Sequence, residues 1–426
     1  MSASKWKPYH EYKKSGITWS PEIPVEWKIN RVGDVAELIN GYPFDSSLFS
    51  LDQGFRLIRI RDLENTGEFT FYSGPEVEKA VVDTGDLLIG MDGDFNTARW
   101  KGGRSLLNQR VCCLRSNRSG ITIFLSHLLQ FPLTIINQTK FSTTVKHLSS
   151  NEIKKIKFGL PRDNEELDSI IKFVNQVDNN LSESIANLRR QILLLEEKRS
   201  ALIIQAVTKG LDLHTPMKDS GLDWIGDIPA HWQTRKVKHL FQLMNEPSIA
   251  SHGMELLSVY TAIGVRPRKS LEQKGNKATS TDGYWLVQKE DLVVNKLLAW
   301  MGAIGRSEYD GVTSPAYDIL RPLKDTVTEY FHFLFRCGIC LPEFKKRSRG
   351  IMEMRLRLYF EELGSIEVPC PPPEEQKEIA NYIRNLDGTQ IDLETWINKQ
   401  IEMLTEYRTA LISAAVTGKI DVRGQA

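Results

Sequence analysis

A seven-residue apolar frame, Leu167, Val174, Leu181, Leu188, Leu195 and Leu202, limits what this chain can fold into more than any other feature of it. A second row follows four residues on, at Ile171, Ile185, Ile192 and Ala206. Rows offset by four and three residues place one apolar seam along one face of a helix, the pattern of a coiled-coil partner. No Gly or Pro interrupts the chain between Leu181 and Lys209. The spacing therefore predicts a helix of about 28 residues, a rod of about 42 Å at ~1.5 Å rise per residue. Such a rod cannot hide its seam alone.

The chain supplies a second rod. Residues 386–417 match 177–208 at an offset of 209, pairing Leu195 with Leu404, Arg199 with Arg408 and the Ala-Val-Thr at Ala206 with that at Ala415. Its seam runs through Ile397, Ile401, Leu404 and Leu411. Each helix follows a proline step, at Leu160 and Pro369, which ends a strand and starts a helix with acids in its first turn. Each is followed by Gly and a short tail, Leu-Asp-Leu at Leu211 and Ile-Asp-Val at Ile420. A further pair of motifs opens each half. Residues 15–27, SGITWSPEIPVEW, and 220–232, SGLDWIGDIPAHW, share the frame S-G-aliphatic-x-W-x-x-acid-I-P-x-x-W at an offset of 205.

Between the repeated frames lie two segments that share far less sequence. Their layout is still parallel, since GDLLIG at Gly85 sits where EDLVVN sits at Glu290, and a glycine-rich stretch follows each. Alternating apolar residues predict strands there, with helices near 126–136 and 329–335. The fold class is α+β, with two mixed domains in a pseudo-twofold arrangement, separated by a pair of long antiparallel coiled-coil helices. The boundaries read from the repeat are a framework segment at 1–29, an insert at 30–160, a helical spacer at 161–212, a linker with the second Trp motif at 213–235, an insert at 236–370, and a second spacer with its tail at 371–426. A pseudo-twofold axis would lay the C-terminal tail beside the N-terminal segment.

A net charge of +1 conceals segregation. From Phe95 to Asn151 there is no Asp or Glu, yet the stretch carries Arg99, Lys101, Arg104, Arg110, Arg115, Arg118, Lys140 and Lys146. The second insert has its own cluster, Lys345, Lys346, Arg347, Arg349, Arg355 and Arg357. Together with Asn108, Gln109, Ser142 and Thr143, these suit a surface that neutralises phosphates and offers amides and hydroxyls to base edges. The alternative is a set of solvated loops whose charge is answered by acids elsewhere. Searches for chemistry fail. There is no phosphate-binding G-x-x-x-x-G-K-[ST] loop, and Asp92, Asp94 and Asn96 start like a calcium loop that lacks its Gly and its closing Glu. The E-x-K runs at Glu196 and Glu375 read as solvated helix faces. Five cysteines form no disulfide framework, and Cys337 and Cys340, though spaced C-x-x-C, look like part of a buried apolar helix. No stretch approaches the ~18 apolar residues of a membrane span. The N-terminus lacks a signal peptide's apolar core, which places the chain in the cytoplasm.

The doubled S-G-x-x-W-x-x-x-I-P-x-x-W frame, the proline step before Glu-Glu-Gln, and helices ending R-x-A-L-I-x-x-A-V-T resemble the specificity subunit of type I restriction-modification enzymes. The resemblance implies a non-catalytic subunit whose two inserts are target-recognition domains, each reading half of an asymmetric bipartite site in double-stranded DNA. It implies helices that space the half-sites (Leu181, Leu188, Ile192, Leu195 and Leu202 against Ile397, Ile401, Leu404 and Leu411). It also implies a framework that docks two methyltransferase subunits and, through them, the translocating restriction subunits. S-adenosylmethionine would then be bound by the methyltransferase partner, ATP and Mg by the restriction partner, and no cofactor by this chain. A coiled-coil scaffold with two protein-binding domains is the alternative reading of the same architecture.

Overall fold

The computed structural model describes residues 6–64, 69–118, 120–140, 147–248, 254–261, 263–270, 283–351 and 355–424. They form two compact units, one of Met1–Leu188 with Lys399–Ala426 and one of Arg189–Asn398. The first unit is therefore discontinuous in sequence. It is closed by the last stretch of the chain.

Two helices are longer than the seam alone predicts. The first runs Asn164–Lys209, 46 residues, and the second Pro373–Val416, 44 residues. Each begins at its proline step, with Glu165 and Glu166 or Glu374 and Glu375 in the first turn, where carboxylates complement the helix dipole. Within each unit the two helices run antiparallel. In the first, Asp178 faces Arg408, while Glu166 and Gly418 both reach Trp27. In the second, Arg199 faces Asp387, and Gly210 lies against Glu375. Burial is deepest at the helix ends, where Leu167, Ile170 and Val174 pack with Leu411, Ile412 and Ala415, and Ile203, Ala206 and Val207 pack with Ile379 and Ile383. Among the seam residues Ile397 and Leu411 are buried, and Leu181, Leu188, Ile192, Leu195, Leu202, Ile401 and Leu404 are half-buried.

Each insert is built on a four-stranded antiparallel sheet. In the first unit the order is Thr97–Arg99, Leu87–Gly90, Val111–Arg115, Glu37–Asn40. In the second it is Ile304–Arg306, Leu292–Asn295, Tyr317–Pro322, Phe241–Leu243. Corresponding strands occupy corresponding places although the sequences diverge. A repeated turn explains part of this register. Gly85 and Glu290 both take the left-handed backbone, φ 99° and 76°, and the next residue, Asp86 or Asp291, caps its own turn by accepting the N–H of Asp83 or Gln288 at 2.8 Å. The same two carboxylates are buried and hold Arg115 and Arg321 on the adjacent strand. Elsewhere the inserts differ. The first adds a five-stranded sheet with one parallel pair, Ser105–Leu107 on Phe55–Ile58, and the second adds separate two-stranded ribbons.

The expected helices are present as Ile121–Leu128 and Gln130–Lys140 in the first insert and Thr328–Arg336 in the second. One expectation is corrected here. Cys337 and Cys340 are buried free thiols, but they lie in the turn after Thr328–Arg336, where Cys340 caps the helix Leu341–Arg347, and not within a helix. Among the described residues no group of three His, Cys, Asp or Glu could hold a metal ion, and no helix is long and apolar enough to cross a membrane.

Candidate nucleic-acid interface

The framework fixes each insert through a buried tryptophan. Trp27 and Trp232 are both fully buried. Trp27 Nε1 donates to Glu166 Oε1 at 2.8 Å, and the Tyr9 hydroxyl donates to the same oxygen at 2.7 Å. In the second unit the corresponding Glu375 is drawn instead to His231, Nε2 to Oε2 at 2.7 Å, and Trp232 Nε1 has no partner among the described residues. Glu375 is thus a framework residue and not merely part of a solvated face; Glu196 and Lys198 are exposed as expected. The tail lies beside the N-terminal segment: Asp421 N–H donates to Lys7 O at 2.8 Å, and Arg423 lies over the Tyr9 ring at 4.9 Å.

The two helix arginines find partners across the helix pair. Arg408 Nε donates to Asp178 Oδ1 and Arg199 Nε to Asp387 Oδ1, each at 2.7 Å. The spacing puts each on the row of Ile192 or Ile401, from which it either snorkels at the seam edge or pairs with an acid such as Glu196 or Glu402; the structure gives each an acid of the other helix instead. The partner acids are themselves 209 residues apart, like the arginines, so the same pair occurs once in each unit.

The basic stretch of the first insert divides into two kinds of residue. Arg104 forms a two-pronged pair with Glu76 at 2.9 and 3.2 Å, Arg110 pairs with Asp92 at 3.1 Å, and Arg115 with Asp86. Acids from the preceding stretch therefore answer these three, and Arg118 is held by the Asn164 side chain. Arg99 and Lys101 are exposed and make no ion pair with a described residue. Asn108 is half-buried and Gln109 exposed at the turn before Val111–Arg115. The Lys140 side chain and the whole of Ser142, Thr143 and Lys146 lie outside the described residues.

The second cluster divides in the same way. Lys346 and Arg347 reach back to Glu343 one helical turn earlier, Arg347 at 2.9 Å, and Arg349 pairs with Glu362. Lys345 lies over the Trp300 ring at 5.4 Å. Arg355 and Arg357 are exposed, and Arg357 is bridged to Arg349 through two backbone hydrogen bonds of 2.9 Å. Cations outside the two clusters also face cavities: Arg56, whose guanidinium lies 3.9 Å from the Phe69 ring centre, and Arg408 in one, and Arg199, Arg266 and Arg336 in another. Arg56 belongs to a short run with Arg59 and Arg61 that precedes the acids beginning at Asp62 and lies outside both basic clusters.

Comparison with known proteins adds an independent finding. The family model described as type I restriction modification DNA specificity domain matches residues 24–194 and again 229–403. The chain is similar to the EcoBI specificity subunit of Escherichia coli, a type I restriction enzyme subunit, with 26% identity over 427 residues, 94% of this chain and 87% of that one. It is also similar to the MjaVIII specificity subunit of Methanocaldococcus jannaschii, 19% identical and covering 94% of each chain. Among solved structures, one from work on complex assembly and conformational transition of the type I R-M system superposes with a TM-score of 0.65 at 16% identity, covering 93% of this chain and 99% of that one. The HsdS subunit from Thermoanaerobacter tengcongensis gives 0.51 at 17% identity, covering 93% and 98%. At these identities the two structures speak for the fold alone.

Proposed function

Because this chain belongs to the type I restriction modification DNA specificity family, whose role is to select DNA and not to modify or cut it, we propose the following division of labour among its parts. The inserts at 30–160 and 236–370 are target-recognition domains, and each reads one half of an asymmetric bipartite site in double-stranded DNA. The observation that carries this reading is a duplicated framework enclosing two different inserts on one sheet order. A common frame with divergent contents is what two unlike half-sites require, because base contacts must differ where the targets differ.

Arg99 and Lys101 in the first insert and Arg355 and Arg357 in the second are exposed cluster members that make no ion pair with a described residue, and they contact the DNA. Lys140 and Lys146 remain candidates on sequence. Arg104, Arg110, Arg347 and Arg349, each tied to a carboxylate, shape these surfaces more than they neutralise phosphates; Lys345, Lys346, Asn108 and Gln109 complete the rims. The long helices set the spacing between half-sites. They also dock two methyltransferase subunits, a reading supported by large apolar side chains left exposed along them, including Leu193 and Leu194 on one helix and Ile391, Trp396 and Met403 on the other. The methyltransferase partner binds S-adenosylmethionine and methylates adenine. Restriction subunits that use ATP and Mg join through that core, and the assembly works on DNA in the cytoplasm.

Exchange of one insert for that of another family member tests the central claim. Methylation by the assembled complex, mapped across a genome, should then change in one half-site and keep the other. If both half-sites stayed the same, the inserts would not be the readers.

A further inference from the structure

Each unit contains a cavity at the foot of its insert that base reading does not explain. The first, about 650 Å³, is walled on the helix side by Asp178, Arg408, Thr409 and Ile412. The second, about 340 Å³, is walled by Asp387, Arg199, Ser200 and Ile203. These are the same four positions in the repeat, each 209 residues from its counterpart. The opposite wall carries His127 in one and His332 in the other, 205 residues apart, on the helices Ile121–Leu128 and Thr328–Arg336. The frame is kept while the inserts around it diverge.

Both cavities are positive. Arg56, Arg99, Lys101 and Arg408 line the first against Asp62 and Asp178, four cations to two carboxylates. Arg199, Arg266 and Arg336 line the second against Asp387, three to one. In each, the repeated aspartate is tied to the repeated arginine. The histidines add donors and no negative charge. His332 Nδ1 accepts the backbone N–H of Arg306 at 3.1 Å, so its neutral ring carries the proton on Nε2.

Residues that read bases must differ between the inserts. A frame common to both serves what the half-sites share, and that is the sugar-phosphate backbone. We propose that each cavity seats one DNA backbone phosphate, held by Arg56 in the first unit and by Arg266 in the second beside the repeated Arg, Asp and His frame; this rests on the specificity-subunit reading above. These two guanidiniums suit the task because neither is held by a buried carboxylate. Arg56 lies against the Phe69 and Trp100 rings at 3.9 and 5.7 Å and donates to the Gly102 carbonyl at 3.5 Å, and Arg266 donates to the Val265 carbonyl at 3.0 Å and reaches the exposed Glu308 at 3.5 Å. An acidic side chain of a methyltransferase subunit is the competing occupant.

The test uses the complex assembled with its methyltransferase, binding cognate and unrelated duplexes over a series of salt concentrations. Each phosphate contact contributes about 0.9 to the slope of log affinity against log salt. Arg56→Gln and Arg266→Gln should each flatten that slope by about 0.9, and the pair by about 1.8, weakening cognate and unrelated DNA alike. Arg56→Lys with Arg266→Lys keeps the charge and should restore the slope. Thermal melting of each variant checks that the fold is kept, and either single variant suffices should the double variant melt early. Unchanged slopes would overturn the proposal. So would loss of complex assembly with normal DNA affinity in whatever assembles, which would assign the cavities to the partner's acids. A wild-type complex with no sequence preference would instead sink the specificity reading.

Discussion

At the residue scale, the two Arg–Asp pairs show what a single sequence conceals. Heptad spacing places Arg199 and Arg408 at the seam, but it gives the face of a helix and not the register of the helix opposite. The acids nearest in sequence therefore look like the partners, while the true ones come from the far half of the chain. The side chains of Arg199 and Arg408 are 38% and 36% exposed, so solvent screens each pair, and Asp178→Ala or Asp387→Ala should cost about 0.5–1 kcal/mol. Denaturant unfolding checks this, and the charge swap Asp178→Arg with Arg408→Asp should recover most of the loss. His332 gives a pH signature. Burial, with Arg336, Arg306 and Arg266 nearby, depresses it to about 3. The folded ring refuses a proton that the unfolded chain accepts below about 6.5. Stability should therefore be intact above pH 7 and decline as pH falls from about 6.5 toward 3. His332→Gln, which retains an acceptor for the Arg306 N–H, should reduce that decline in denaturant titrations at pH 7.5 and 5.

At the scale of elements, the seam and the proline step that opens each helix were legible, and the unbroken run between them was not. The apolar rows begin at Leu167, yet the polar run Asn175 to Asn180 obscures continuity that the structure keeps from Asn164 onward. Insertion of one heptad into both helices, at matching repeat positions, should lengthen the spacer between half-sites by about three base pairs, given ~1.5 Å per helical residue and ~3.4 Å per base-pair step. A methylation map would show an altered spacer with unchanged half-site sequences; altered half-sites would deny the helices a spacing role. The basic clusters were legible only as runs. Which members are neutralised depends on acids brought in by the sheets, such as Glu76 and Asp92, or by a later helix, such as Glu362. Charge reversal at Arg99 and Lys101 should weaken DNA binding by the assembled complex in a gel-shift assay, whereas Arg104→Gln should have the smaller effect.

At the scale of the whole molecule, the repeat foretold the meeting of the two ends, and the hydrogen bond from Asp421 to Lys7 realises it. A circular variant that joins 424 to 6 through a short linker and opens at 211–216, where Leu211 and Leu213 are exposed, should fold and keep its methylation sites, since it cuts no packed element. The same discontinuity sets an order of events on the ribosome. The second unit, Arg189–Asn398, is complete while the chain is still growing, but the first needs Lys399–Ala426. The usual sequence, in which the domain made first folds first, does not apply to the first unit: its earliest residues must wait for its latest. A chain cut short before Lys399 would keep every residue of the second unit and lack a segment of the first, so one break far along the sequence would disable the unit that the sequence begins.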